Sequence, residues 1–110
     1  MTRDALVAIL IDMPSRLAAA EETLLTAEEQ LTSARGLLHD RESCLLFAGL
    51  DGKNEAVRSA KLRADTSEER ELVLAAERNV DRAGMELRLV RAEFSAAKAM
   101  ARLLAGGEER

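Results

Sequence analysis

Aromatic residues are nearly missing from this chain. It has no Trp, no Tyr and only 2 Phe. Recognition of single-stranded nucleic acid by base stacking needs such side chains, so that mode is disfavoured. Turn residues are scarce too, with 1 Pro and 6 Gly among 110 residues. A β-rich domain needs more turns and more β-branched residues than this, so sheets are excluded. The single cysteine, Cys44, has no partner for an internal disulfide, and nothing calls for an oxidising compartment. The apolar run Ala5–Ile11 is too short to span a bilayer, and Asp4 and Asp12 flank it. Those acidic flanks also argue against a signal peptide, which leaves the cytoplasm as the expected location and no membrane as partner. Net charge is −4, with 33% charged residues of both signs, unlike a bulk electrostatic nucleic-acid binder.

What the chain has in quantity is Ala and Leu at a period of seven. Leu10, Leu17, Leu24, Leu31, Leu38 and Leu45 form one line. Ala20, Ala27, Ala34 and Ala48 follow most of them by three residues. This is a heptad seam of large residues facing small ones. A second seam follows, with Val73, Val80, Leu87, Phe94 and Ala101 on one line. Ala76, Ala83, Val90, Ala97 and Leu104 follow these by three. Two seams joined by a short loop imply an antiparallel hairpin. The fold class is therefore all-α: a long antiparallel helical hairpin, an Ala/Leu-seamed coiled coil forming a single domain over 1–110.

Three features punctuate it. Pro14 disfavours helix at Met13, which predicts a short helix over 3–12 continuing at an angle into a long one over 14–48, with a kink and a break both left open. The stretch 49–54 is the turn: Gly49 suits a left-handed cap with Leu50 packing beside it, Asp51-Gly52 is a turn pair, and Asn54 suits an N-cap. Thr66-x-x-Glu69 fits a capping box. Either a new helix starts there or one helix runs through, so 55–105 is the second arm with its break at 65–66 left open. Gly106-Gly107 ends it and 106–110 is a tail.

A turn centred near Gly52 predicts that facing residue numbers sum to about 104. Leu31 then meets Val73, Leu24 meets Val80, Leu17 meets Leu87 and Leu10 meets Phe94, with Glu22 opposite Arg82 and Arg35 opposite Glu69. Two helices cannot cover every apolar residue. Leu25, Leu37, Leu46, Leu72, Leu74, Leu89, Leu103, Met85 and Met100 lie off the seam. Self-association would cover them, and a homodimer whose hairpins form a four-helix bundle is expected. Leu25, Leu37, Leu46, Leu89 and Leu103 are its candidate contacts.

No set of residues makes a catalytic site. His39 and Ser43 share a helix face, but no third group completes them. Cys44 lies about 140° from His39 around the helix, a poor spacing for a nucleophile and its base. His39-x-x-Glu42 reverses the order that carboxylate-bridged metal bundles use, and there is no second His. There is no glycine-rich phosphate loop. No enzyme activity, cofactor or metal is expected. The acidic runs at Glu21-Glu22 and Glu28-Glu29, and the group Glu68, Glu69 and Glu71, read as solvated faces. Positive charge gathers near the tip, where Lys53, Asn54, Arg58 and Lys61 are the candidate site for an anion or an acidic partner, at the free N–H groups of a helix start. Arg63 lies close by, and Arg88, Arg91, Lys98 and Arg102 form a second basic stretch.

The element Gly52-Lys53-Asn54-Glu55-x-x-Arg58, followed by apolar residues, resembles a turn in small helical-hairpin proteins of tailed phages and prophages. That resemblance implies an accessory protein made in a bacterial host's cytoplasm, serving replication and recombination, assembly, or action against host defences. The leading expectation is a non-enzymatic coiled-coil interaction protein that self-associates and docks on a macromolecular partner. The alternatives are a nucleic-acid-binding accessory protein in recombination or replication, and an inhibitor of a host protein.

Overall fold

The computed structural model describes residues 2–49, 52 and 54–108. Three helices account for nearly all of them: α1 (Arg3–Ala48), α2 (Glu55–Asp65) and α3 (Ser67–Glu108). No strand occurs among the described residues, and the fold is an all-α helical hairpin. The chain divides into two compact units, one of Met1–Leu25 with Arg82–Arg110 and one of Thr26–Asp81.

In the first unit, Met13, Ala20, Leu87 and Val90 form the buried centre, with Ile9, Leu17, Leu24 and Phe94 packed on it. In the second unit, Leu31, Ala34 and Ala76 are the centre, with Val73 and Val80 against them. The deepest line on each helix is the small-residue one. Leu6, Met13, Ala20, Ala27 and Ala34 are buried along α1, and Ala76, Ala83, Val90 and Ala97 along α3. The leucine line expected to lead the seam, from Leu10 to Leu45, is only half-buried apart from Leu31. Alanine lets two backbones approach closely, and the larger residues then close over the sides. Both lines weaken at their ends, where Ala48 and Leu104 are exposed.

Ion pairs fix the register, and it is not the expected one. In the first unit Arg16 meets Glu93 at 2.9 Å and Arg91 meets Glu21 at 3.8 Å. In the second, Arg35 meets Glu77 at 3.7 Å, Arg41 meets Glu69 at 4.0 Å and Arg70 meets Glu42 at 3.8 Å. The paired numbers add to between 109 and 112, rather than 104. The seams are slipped by about one heptad. The apolar clusters hold the partners of both registers, Leu17 with Leu87 and Phe94 and Leu31 with Val73 and Val80, so the ion pairs alone decide. A seven-residue repeat matches its partner equally well after a slip of seven, so apolar matching could not choose. Glu22 with Arg82 and Arg35 with Glu69 are not formed.

Helix α1 runs unbroken through Pro14, in place of separate helices over 3–12 and 14–48. An internal proline costs about 3 kcal/mol. Leu6 and Met13 are both buried just before it, each contributing roughly 1.5–3 kcal/mol, which offsets that cost. Pro14 itself is exposed. At the far end Gly49 takes the left-handed conformation, φ 84°, and its N–H donates to the Leu46 carbonyl at 3.2 Å. Leu50 and Asp51 lie outside the described residues. Helix α3 continues past Gly106-Gly107 to Glu108, rather than ending at 105. Glycine permits a left-handed cap without forcing one, and a polar Glu108 follows in place of an apolar residue to pack back.

The break between α2 and α3 falls at Thr66. The capping box does not form there. The Thr66 hydroxyl instead donates back to the Leu62 carbonyl at 2.8 Å and accepts from Arg70 Nε at 3.0 Å. Arg70 also reaches Glu42 on α1, so one side chain ties the break to the facing helix. Thr66 is fully buried, the one buried polar residue among those described. It occupies the Val73–Ala101 line extended one heptad back. Before it, α2 buries no residue at all.

Replacing Ala76 by Leu should lower stability by roughly 1–3 kcal/mol, read as a lower urea midpoint, because the close approach has no room for the extra atoms. A stability equal to the parent would show that the small line is not tightly packed. Thr66→Val keeps the shape and removes the hydroxyl. It should cost roughly 1–2 kcal/mol in the same assay.

Candidate functional site

The tip is built by helix capping. Asn54 has extended backbone angles, and its Oδ1 accepts from the Val57 N–H at 3.0 Å. The Arg58 N–H donates to the Asn54 carbonyl at 3.1 Å. The Arg58 side chain lies over the turn, where a Cβ placed on Gly52 would come within 2.9 Å of its Cγ. Asn54 and Arg58 are thus brought together, but the Asn54 carboxamide oxygen is spent on the cap. Lys61 is exposed on α2 and has an interaction of its own. Lys53 lies outside the described residues.

The second basic stretch is divided by its own contacts. Arg91 pairs with Glu21, and Lys98 sits 4.7 Å above the Phe94 ring. Arg88 and Arg102 remain exposed. His39, Ser43 and Cys44 are all exposed, and no arrangement joins them to a further group. Among the described residues, no three His, Cys, Asp or Glu come together to hold a metal ion. No helix of the described residues is long and apolar enough to cross a membrane.

The uncovered apolar residues are the more distinctive feature. Leu25, Leu37, Leu46, Leu72, Leu74, Met85, Leu89 and Leu103 are each about half exposed or more. These are the off-seam residues that the heptad reading left over, except that Met100 is half-buried. Phe47 is 97% exposed and Ile11 74%, and neither was singled out by the seam argument. Ile11 lies one heptad multiple from Leu25 and Leu46, a spacing that could have revealed it.

These residues group differently in the two units. In the first, Ile9, Met13, Ala96, Ala97 and Met100 line a groove of about 310 Å³ between α1 and α3, with the Arg16–Glu93 pair at its edge. Met85 and Leu89, one turn apart on α3, line a second depression with Arg82, Glu86 and Arg88. In the second unit, Leu37 and Leu72 flank a groove floored by Ala34, Ala75 and Ala76. Glu29 is the only charged residue in it; Thr26, Gln30, Ser33 and Asn79 complete its walls. Charge depletion around an apolar centre is the composition of an interface core. Beside it, Glu68, Glu71, Leu72, Leu74, Ala75 and Arg78 line a depression on the outer side of α3. No family model, curated protein or solved structure matches this chain.

The cap argument gives a direct check at the tip. Asn54→Ala should lower stability by roughly 1 kcal/mol, while Asn54→Asp, which keeps the acceptor, stays near the parent in urea unfolding. An unchanged midpoint for the alanine variant would free the side chain for a role in binding.

Proposed function

We propose that this chain is a non-enzymatic coiled-coil interaction protein that self-associates as a homodimer and docks on a macromolecular partner. One observation carries the reading: most seam residues are spent inside the units, yet eight off-seam Leu and Met residues stay uncovered. A side chain like Leu gains roughly 1.5–3 kcal/mol when fully buried, so these residues supply a drive to associate. Pairing of hairpins into a four-helix bundle covers helix faces of this kind. Leu25, Leu37, Leu46, Leu89 and Leu103 are the proposed contacts, and the nearly uncharged groove beside Leu37 supports their use. In this proposal the chain is a phage-encoded accessory protein acting in the host cytoplasm, a reading supported by the resemblance of its turn element to that of phage and prophage hairpin proteins.

Light scattering after gel filtration tests the first half. The expected mass is twice that of the chain, falling toward the monomer in a Leu37→Ser/Leu89→Ser variant that keeps its helical circular dichroism. A monomer at all concentrations up to about 1 mM would refute self-association, since even weak pairing near that dissociation constant is worth about 4 kcal/mol.

A further inference from the structure

The outer side of α3 in the second unit has a charge pattern that is complementary to itself. Glu68 and Glu71 lie toward the N-terminal side of Ala75, and Arg78 lies toward the C-terminal side. Glu71, Leu74, Ala75 and Arg78 follow the spacing i, i+3, i+4, i+7, so they share one helix face. Leu74 in its middle is 52% exposed, while Leu72, two residues from it, lies to the side of this face. Glu71 and Arg78 are exposed and make no ion pair among the described residues. They are two helical turns apart, too far to meet within one chain.

We infer that this face binds the same face of a second copy of the chain, with α3 antiparallel to α3 about a two-fold axis between Leu74 and Ala75. The axis turns Glu71 of each copy onto Arg78 of the other, because both are equally distant from it. Two identical ion pairs then flank a centre made of Leu74 and Ala75 from both copies. Ala75 at the axis lets the backbones approach, and Leu74 of each copy packs beside it. An isologous contact needs a surface that is its own complement. Acid at one end, base at the other and apolar residues between meet that requirement only in the antiparallel orientation. A parallel pairing would set Glu71 against Glu71 and Arg78 against Arg78. The inference rests on the proposed self-association and gives it a face on α3 apart from Leu25, Leu37, Leu46, Leu89 and Leu103. A dimer lost in the Leu37→Ser/Leu89→Ser variant but kept in both single charge variants would reject this face.

Charge exchange tests it, read by sedimentation equilibrium with circular dichroism as the check on folding. Arg78→Glu alone and Glu71→Arg alone each place like charges at both ends of the contact. Each should weaken association by at least about tenfold with helicity unchanged. The double variant Glu71→Arg/Arg78→Glu restores opposite charges and should dimerise like the parent. Mixing the two single variants should also recover a dimer, now of one copy of each. If the parent dimerises and both single variants dimerise equally well, this face is not the contact, and self-association stands on another surface. If the parent itself is monomeric, the proposed self-association fails with it.

Discussion

Close approach of two helices along a line of alanines is the constraint on which both units depend. Alanine contributes little apolar area of its own. Its value is that nothing keeps the backbones apart, so the larger side chains of the neighbouring line can close over the gap. This explains why Ala20, Ala34 and Ala76 are deeply buried while Leu10, Leu17 and Leu24 are not. A seam of this kind uses its leucines as walls and its alanines as the floor. It also explains why so much apolar surface is left over. Half-covered leucines take less of the helix circumference out of water than a leucine-centred seam would, and the outer lines stay exposed.

Thr66 shows how the same seam is stopped. It stands where the Val73–Ala101 line would have its next large residue. A hydroxyl there cannot be buried without partners, and its partners are all local: the Leu62 and Arg63 carbonyls and Arg70 Nε. Satisfying them places Thr66 outside helical geometry, at φ −114° and ψ 19°. Beyond it α2 has no buried residue and is held by its Asn54 cap at one end and the Thr66 break at the other. An 11-residue helix without buried side chains is marginal on its own, so α2 is the element of lowest local stability in its unit. Of the basic residues at the tip, Arg58 and Lys61 sit on that element.

Helix class, the Gly49 and Asn54 caps and the identity of the uncovered leucines were legible from residue types and spacing, because each depends on local geometry alone. The register was not. Leucine and alanine repeat every seven residues on both arms, so a slip of seven leaves every apolar layer matched. Charges could have resolved it: Arg16 with Glu93, Glu21 with Arg91 and Arg35 with Glu77 agree on one slip, while only two pairs supported the other. Pro14 misled for a related reason. Its local preference is to end a helix, but buried Leu6 and Met13 hold the preceding segment in place. Thr66 was read as a cap because its neighbours fit a capping motif; its position on the heptad line carried the better signal.

The candidate site was legible as a list of residues and not as an arrangement. Heptad phase tells which side chains leave the seam, but each leftover residue then belongs to a face whose partner the sequence does not name. The grooves add what phase cannot, since they depend on which residue of the facing helix lies beside which. Leu37 gains meaning only next to Leu72, across alanines small enough to leave a groove. The one-heptad correction decides that neighbour. With facing numbers summing to 104, Leu37 would lie opposite the stretch near Ser67, and the groove between Leu37 and Leu72 would not exist. The same ion pairs that set the register therefore also set the surface on which the proposed association depends.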